Sequence, residues 1–573
     1  MARFYLIDNS LKSEGGHHFD YDRNVLIAAE RQGWEPILAS HRRFRMRHRL
    51  PPQWKVRYLF PHSTYSRYSY MYGSAAAPLL LDAPEADGPA KSWIGRLTRR
   101  WRRWRAAAEC RTFASACRRL FDEFPAQRGD IVFFPTMSDL DLAGLAEFLR
   151  HAPATLDPDW HFQFHRSYPV SERSGGAARG LELMRQFLQQ LSPAWEGRRL
   201  YGHATTVQLA QRFQALQGWP VDQLNHAVDV EVLSRRRRRE SPETKSQRPL
   251  RVLLAGGSRP EKGSSQLARL VDLYQSQSTT QRPVQVWVQA KRPQRLGIPR
   301  LHVATLEELR GDALPTSPRV IALPHPLGVE DYMALFEKVD AGLCLHDPRE
   351  YQERCSGVLV ELLAAGLPVL VPDACWLAEE TATAGQPWAE ALWQRCAAND
   401  DARTHSLRFQ LDGPHSVASQ TVSAPAAAQR LLLRYRRLPE HTAQGWLRVS
   451  LEPAGEPGRS WVSYIPSGPE GSPWTLVAPW RFHREAVRIQ VSVIGASASR
   501  LEAPLELSWD FEAGPTGAVG LTADGVEQFA QRLRELVDHF EHFQATALQH
   551  GMTYALSHHP SRVIDRLQQL QTV

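Results

Sequence analysis

Short apolar runs alternate with helical runs twice in this chain, and the second series starts afresh after a basic, polar break. The first series opens with RFYLID at 3–8, crosses the loop NSLKSEGGHHFDYD and enters NVLIAAERQG, a helical pattern stopped at Gly33. EPILAS follows, then DIVFFPT at 130–136, the helical LAGLAEFLRH, and WHFQFH at 160–165. The break is SRRRRRESPETKSQRP at 234–249. Beyond it come LRVLLAGG, a helix from about 264, VQVWVQA, RVIALP, the helical VEDYMALFEKVD, AGLCLH, a helix across Glu361, and PVLVPD. Strands alternating with helices predict an α/β fold, a parallel sheet with helices on both faces. Two Rossmann-like units joined by a linker predict a ligand cleft between them, at the C-terminal ends of the strands.

Between about 400 and 515 the helical periodicity is lost. Runs such as RLLLRYRR, WLRVSLEP and AVRIQVSVIG alternate with period two and are separated by Gly, Pro and Ser, which predicts a β-sandwich. Helical pattern returns at GVEQFAQRLRELVDHFEHFQATAL, so the sandwich reads as an insertion. The expected domains are 1–230, an N-terminal Rossmann-like unit; 245–398 with 516–573, a second one; and 400–515, all-β. A chain of 573 residues accommodates about three or four domains of roughly 150 residues.

No run of eighteen apolar residues exists, and the N-terminus reads straight into a strand without an apolar leader. The six cysteines form no CxxC pair and no metal-ligand spacing, so buried thiols in a reducing cytoplasm are expected. A net charge of +8 with clustered arginines points to an anionic partner.

Three stretches carry chemistry. In SEGGHHFDY, Gly15 and Gly16 allow close backbone approach, and the helix start behind them presents free N–H groups, which suits a phosphate. An ordinary turn between strand and helix would read the same way. In AGGSRPEKGS, Arg259 and Lys262 sit beside Gly256, Gly257 and Gly263, and together could neutralise a diphosphate. In YQERCSGVLVELLAAGLPVLVP, Glu353 and Glu361 stand eight residues apart, with Ser-Gly between them and a Gly-Leu-Pro stop behind.

The last tract resembles the E-x7-E element of retaining glycosyltransferases of the GT-B fold, especially family 4. GGSRPEKG resembles their phosphate turn, GGHH their N-terminal glycine loop, and HFQFHRSYP their central strand ending in a histidine. The resemblance covers most of 1–395 and 516–573. It implies a metal-independent enzyme, without cofactor, that moves a sugar from a nucleotide-sugar donor to a glycan or lipid-linked acceptor with retention. Glu361 would hold the ribose hydroxyls and Glu353 the donor sugar. Ser356, Gly357 and Val358 would meet the phosphates together with Gly15, Gly16, Gly257, Arg259 and Lys262. His165 would contact the transferred sugar, and His17, His18 and Arg166 would lie on the acceptor side. Catalysis would rest on His165, Glu353, Arg259 and Lys262. The chain departs from the family where ACWLAEE replaces the usual glycine-rich segment after PVLVPD, and in the inserted sandwich.

Other readings stand beside this one. DLD at 139–141 precedes a helix and reads as capping rather than metal binding. A catalytically inactive GT-B-like protein binding glycans through the sandwich is the alternative function. A phosphorylase-like enzyme lacks an identifiable pyridoxal lysine. In the sandwich, Trp446, Trp461, Trp474, Trp480 and Trp509 could stack on sugar rings or form core. Over 91–119, Trp93, Leu97, Trp101 and Trp104 recur at helical spacing among Arg96, Arg99, Arg100, Arg102, Arg103 and Arg105. That pattern reads as an interfacial helix for an anionic membrane surface, or as a helix packed on its own domain; nucleic acid is not an expected partner. The expected location is cytoplasmic, peripheral on the inner face of the cell membrane if the helix docks there.

Overall fold

The computed structural model describes residues 2–13, 17–73, 75, 78–81, 93–166, 176–217, 221–228, 248–256, 260–277, 282–311, 313–317, 319–373, 375–383, 394–395 and 519–571, together with the strands between 405 and 513.

The first sheet holds β1 (Arg3–Asp8), β2 (Glu35–His41), β3 (Lys55–Phe60), β4 (Ile131–Phe134), β5 (Asp159–Phe164), β6 (Arg199–Ala204) and β7 (Val221–Gln223). Its order is β3-β2-β1-β4-β5-β6-β7, with every pairing parallel. The helices α1 (His17–Arg31), α2 (Trp93–Glu123), α3 (Asp139–Leu149), α4 (Gly176–Leu191) and α5 (Val207–Gln217) lie in the connections. The sheet is buried on both faces, which is why its central strands read as continuous apolar runs. Tyr5 and Ile7 enter one core with Val132, Phe134, Trp160 and Phe162. Phe4 and Leu6 enter the opposite one with Leu38, Ile131 and Phe133.

The second sheet repeats the plan with β8 (Leu250–Leu254), β9 (Val284–Gln289), β10 (His302–Val303), β11 (Val320–Leu323), β12 (Ala341–Leu343) and β13 (Val369–Pro372). They run β10-β11-β9-β8-β12-β13, all parallel, and the strand Gly520–Ala523 pairs with the outer edge of β13, also parallel. The helices that accompany it are α6 (Leu267–Gln277), α7 (Leu306–Arg310), α8 (Val329–Lys338), α9 (Gly357–Ala364), α10 (Trp376–Thr383), α11 (Gly525–Asp538) and α12 (Phe540–Ser557). Leu253, Trp287, Ile321 and Val371 enter one core, and Val252, Leu254, Val286 and Leu370 the other. The fold class is thus α/β, with two Rossmann-like domains.

Two antiparallel sheets lie between residues 394 and 513, after α10 and before the chain rejoins the second parallel sheet at Gly520. One contains Arg430–Arg437 between Pro504–Ala513 and Trp474–Pro479; the other contains Ala486–Ile494 between Val417–Ser423 and Trp446–Pro453. Leu431 and Leu433, Val449 and Leu451, and Val487, Ile489 and Val491 are buried at alternate positions. The side chains of Trp446, Trp461, Trp474 and Trp509, and the whole of Trp480, lie outside the described residues, so the sugar-stacking expectation falls there too.

The last helix, α13 (Pro560–Gln571), returns to the first domain. Its Val563, Ile564 and Leu567 complete the core made by Phe4, Leu6, Val25 and Leu26. Polar ties flank this seam: Gln32 Nε2 donates to Asp565 at 2.9 Å, and Arg566 pairs with Asp222. Since Ile564 is fully buried there, Ile564→Ala is expected to cost about 2–4 kcal/mol through lost burial and a cavity. Calorimetry reads this as a lowered unfolding transition; an unchanged transition would show that α13 contributes nothing to the first domain.

Candidate functional site

The second domain contributes three converging pieces. After β8 the chain turns through Gly256 at φ +90°, a conformation that favours glycine. The Gly256 amide donates to Gln289 Oε1 at 2.8 Å. The following turn, Pro260–Lys262, brings Lys262 back over that glycine: a Cβ at Gly256 would lie 2.0 Å from Lys262 Nζ and 3.1 Å from Val358 Cγ2. Lys262 is only 7% exposed. Next in the chain, Gly263 (φ +72°) leaves room for the backbone just beyond β12, since a Cβ there would meet the Leu345 carbonyl at 1.9 Å. A cation, a glycine turn and the first turn of α9 therefore share one small volume.

Helix α9 begins with Ser356 as its N-cap, whose hydroxyl accepts from the Leu359 amide and lies 3.2 Å from His346 Nε2. The Val358 side chain, in the first turn, lies against the Gly256 turn. One turn on, Glu361 Oε2 accepts from the Tyr332 hydroxyl at 2.5 Å. Burial pushes the Glu361 carboxyl up to about 7; Tyr332 opposes the rise, Asp20 adds to it, and Lys262 works against it. Asp20 belongs to α1 of the first domain, so the carboxyl feels both halves of the cleft. Glu353 precedes the helix and is tied to the first domain twice. The Thr206 hydroxyl donates to its carbonyl at 2.6 Å, and Arg212 pairs with Oε1. Burial raises the proton affinity of Glu353 and Arg212 offsets part of it.

The first domain contributes groups from the C-terminal ends of β1 and β5. Asp8 ends β1, and its Oδ2 accepts from His18 Nδ1 at 2.8 Å; the Tyr65 hydroxyl meets His18 Nε2 at 3.0 Å. Asp8 is fully buried beside Asp22. Burial, followed by the neighbouring charge of Asp8, holds the Asp22 carboxyl well above its usual range. For Asp8, burial acts upward but His18 and the Ser10 amide outweigh it, leaving it lowered.

His165 stands immediately beyond β5. Its Nε2 donates to the Pro135 carbonyl at 2.6 Å, which leaves Nδ1 as the acceptor. Burial lowers its pKa to about 4, so the ring is neutral. His226 lies at 6.2 Å ring to ring from His165 and stacks on Tyr21 at 5.2 Å. It also closes on the second domain, since a Cβ on Gly357 would sit 3.1 Å from His226 Nε2. Tyr21 in turn donates to Gln163 Oε1 at 2.9 Å. Arg166 pairs with Glu350 across the domains at 3.3 Å, both partly exposed.

Of the residues expected from sequence, Lys262, Val358 and Glu361 come together, with Ser356 and Gly357 at the same helix start. His165 and His18 sit opposite them. Glu353 is held by Arg212. Gly15, Gly16, Gly257, Arg259 and the His17 side chain lie outside the described residues. In DLD, the Asp139 carboxylate accepts from Ser69 Oγ and the Tyr70 and Met71 amides, and Asp141 forms a capping box with Ser138 and accepts from Asn9. Sequence reasoning missed Asp8, Arg212, His226 and Tyr332. Only Asp8 left a readable signal, a carboxylate ending a buried strand just before the glycine loop.

No family model matches this chain, and no curated protein does. Solved structures similar to it include trehalose-6-phosphate synthase OtsA, 13% identical over 67% of this chain and 87% of that one, with a TM-score of 0.42. A sucrose-phosphate synthase from Thermosynechococcus elongatus is 12% identical over 67% and 84%, with a TM-score of 0.37. WaaG, a glycosyltransferase involved in lipopolysaccharide biosynthesis, is 15% identical over 66% and 82%, with a TM-score of 0.35.

The Glu361 pKa gives a pH test. Its folded value, about 7, lies above the ordinary 4.5, so the folded state binds this proton more tightly. The stabilisation is complete below the ordinary value and is lost as pH rises through the folded one. Glu361→Gln removes that dependence. Its melting temperature relative to the wild type is therefore expected to climb by several degrees between about pH 5 and pH 8. A difference that stays flat across this window would show that Glu361 titrates normally.

Proposed function

We propose that this protein is a retaining glycosyltransferase that transfers a sugar from a nucleotide-sugar donor to a glycan or lipid-linked acceptor without a metal ion. The observation that carries the reading is the convergence of Lys262, the Gly256 turn, the first turn of α9 and Glu361 at the C-terminal ends of one parallel sheet. A cation and a helix N-terminus on a glycine turn suit a diphosphate, and a carboxylate one turn further on suits a vicinal diol. A nucleoside diphosphate presents both features at that spacing.

In this reading the diphosphate lies against Lys262 and the amides of Gly357 and Val358, with Arg259 and Gly257 from the same turn. Glu361 takes the two ribose hydroxyls, while Tyr332 holds its carboxylate in place. The sugar lies toward the first domain. His165, neutral and with Nδ1 as acceptor, receives a sugar hydroxyl without adding charge beside the reacting carbon. Glu353, oriented by Arg212, receives another. The acceptor hydroxyl attacks the anomeric carbon on the face from which the diphosphate departs. The bond between that carbon and the phosphate oxygen breaks, and the hydroxyl proton passes to the departing phosphate oxygen. Lys262 and Arg259 stabilise the charge that develops there. The acceptor enters past His17, His18 and Arg166.

Calorimetry with UDP and GDP, each with and without EDTA, tests the reading. Binding of one nucleotide that survives EDTA is expected, and strict metal dependence would overturn the proposal. Glu361→Ala should weaken that binding by about 1.5–3 kcal/mol, the loss of charge-assisted hydrogen bonds. Glu353 needs a milder change than alanine, one that keeps an oxygen acceptor facing Arg212 in this buried pair. Glu353→Gln should leave nucleotide affinity nearly intact while turnover falls by roughly a hundredfold. Equal loss of nucleotide affinity in both variants would remove the division of labour. The product anomer, read by NMR, should match that of the donor.

A further inference from the structure

The start of α2 carries an apolar stripe that the first domain does not cover. Trp93 is 64% exposed, Leu97 55%, Trp101 49% and Trp104 56%. At about 100° per residue these four fall within roughly 80° of arc. The same helix buries Ala106, Cys110, Phe113, Cys117 and Leu120 against its domain, on nearly the opposite side. The tryptophans therefore do not serve this domain's core. Trp101 has a contact of its own, an edge-to-face approach to Tyr68 at 5.9 Å, and still leaves about half its surface open.

Along the helix itself, the charge over these turns is of one sign. Arg96, Arg99, Arg100, Arg102, Arg103 and Arg105 occupy the same turns, and no Asp or Glu occurs between Trp93 and Ala108. Of these, Arg100 and Arg105 flank the stripe most closely by helical angle. No helix among the described residues is long and apolar enough to cross a membrane. An exposed tryptophan stripe flanked by arginines fits the boundary between headgroups and acyl chains, where the indoles are half wet and the guanidiniums meet phosphate. A protein partner matching this stripe would need acidic groups around an apolar centre; an anionic leaflet offers that pattern everywhere.

We propose that α2 docks the protein on an anionic lipid bilayer, with Trp93, Leu97, Trp101 and Trp104 seated in the headgroup layer. This binding does not depend on the activity proposed above. A second consequence does rest on that reading. The segment carrying Tyr65 and Tyr68 links the helix to the cleft, because Tyr68 contacts Trp101 while Tyr65 meets His18. Docking would set the acceptor side of the cleft next to the leaflet, and a lipid-linked acceptor would reach it without leaving the membrane.

Flotation of the full chain with phosphatidylcholine vesicles, with and without phosphatidylglycerol, tests the docking. Binding to the anionic vesicles alone is expected. Trp93→Ala, Trp101→Ala and Trp104→Ala combined should reduce it by roughly tenfold or more, since the hydrophobic part is lost while the charge remains. Arg96→Glu, Arg100→Glu and Arg103→Glu combined should abolish it, and circular dichroism confirms that both variants are folded. No binding to either vesicle would overturn the proposal. So would anionic binding that is indifferent to the tryptophans and is competed away by single-stranded RNA, which would mark the helix as a polyanion site. Nucleotide calorimetry on the tryptophan variant separates the two readings: retained affinity with lost flotation keeps the cleft intact, and failure of UDP and GDP to bind the wild type leaves the flotation result standing.

Discussion

A buried ammonium carries a positive field that its low-dielectric surroundings strengthen. Lys262 lies nearly out of solvent on the bare backbone of Gly256, and α9 begins beside it. Both the lysine and the helix N-terminus favour anions, and neither by itself selects one. Their apposition places two positive fields on one side of a cleft whose floor is glycine. Gly256 and Gly263 are fixed by this arrangement. A side chain at the first would displace the ammonium, and one at the second would strike the backbone just beyond β12.

The opposite wall is built on a different principle. Its histidines are held neutral by burial: His165 near 4 and His226 near 3. Of its buried carboxylates, Asp8 is spent on His18, while Asp139 and Asp141 organise the backbone around 69–71 and 138. The first domain thus offers polar groups that are neutral or internally balanced, and the second offers the cation and a carboxyl that titrates near neutrality. A ligand with a charged end and a hydroxylated end would be oriented by that contrast alone.

The parts legible in the sequence are those fixed by burial on both faces or by local spacing. β1, β4, β5, β9 and β13 read as strands because parallel central strands are apolar throughout. β3 and β6 did not. Lys55, Arg57 and Tyr58 leave β3 open to solvent at the edge of the sheet, and β6 begins Arg-Leu-Tyr-Gly with only half its residues buried. Lys262 and Glu361 could be chosen from motif spacing. Arg212 and His226 could not, because each meets a residue more than a hundred positions away, a pairing that exists only once the two sheets face each other, and Tyr332 could not because it reaches Glu361 from another helix of the same domain. The tryptophan and arginine pattern of α2 was legible, but the choice between core and surface for its tryptophans waited on the burial of Cys110 and Phe113 on the other side.

Closure of the cleft rests on unequal contacts. Arg49 with Glu330 and Arg166 with Glu350 bridge the domains near solvent, where such pairs contribute little. Arg212 with Glu353 bridges them out of solvent, supported by the Thr206 hydroxyl on the Glu353 carbonyl and by Gln208 on Glu379 at 2.8 Å. Separating a buried pair without replacing either partner is the costly step. The buried bridging ion pair thus lies in the few residues before α9. The carboxylate expected to hold the donor sugar is the same one that fastens the first domain to the second. On the proposed function, sugar binding and domain closure would act on one side chain, and a hydroxyl placed on Glu353 would meet a group already ordered by Arg212.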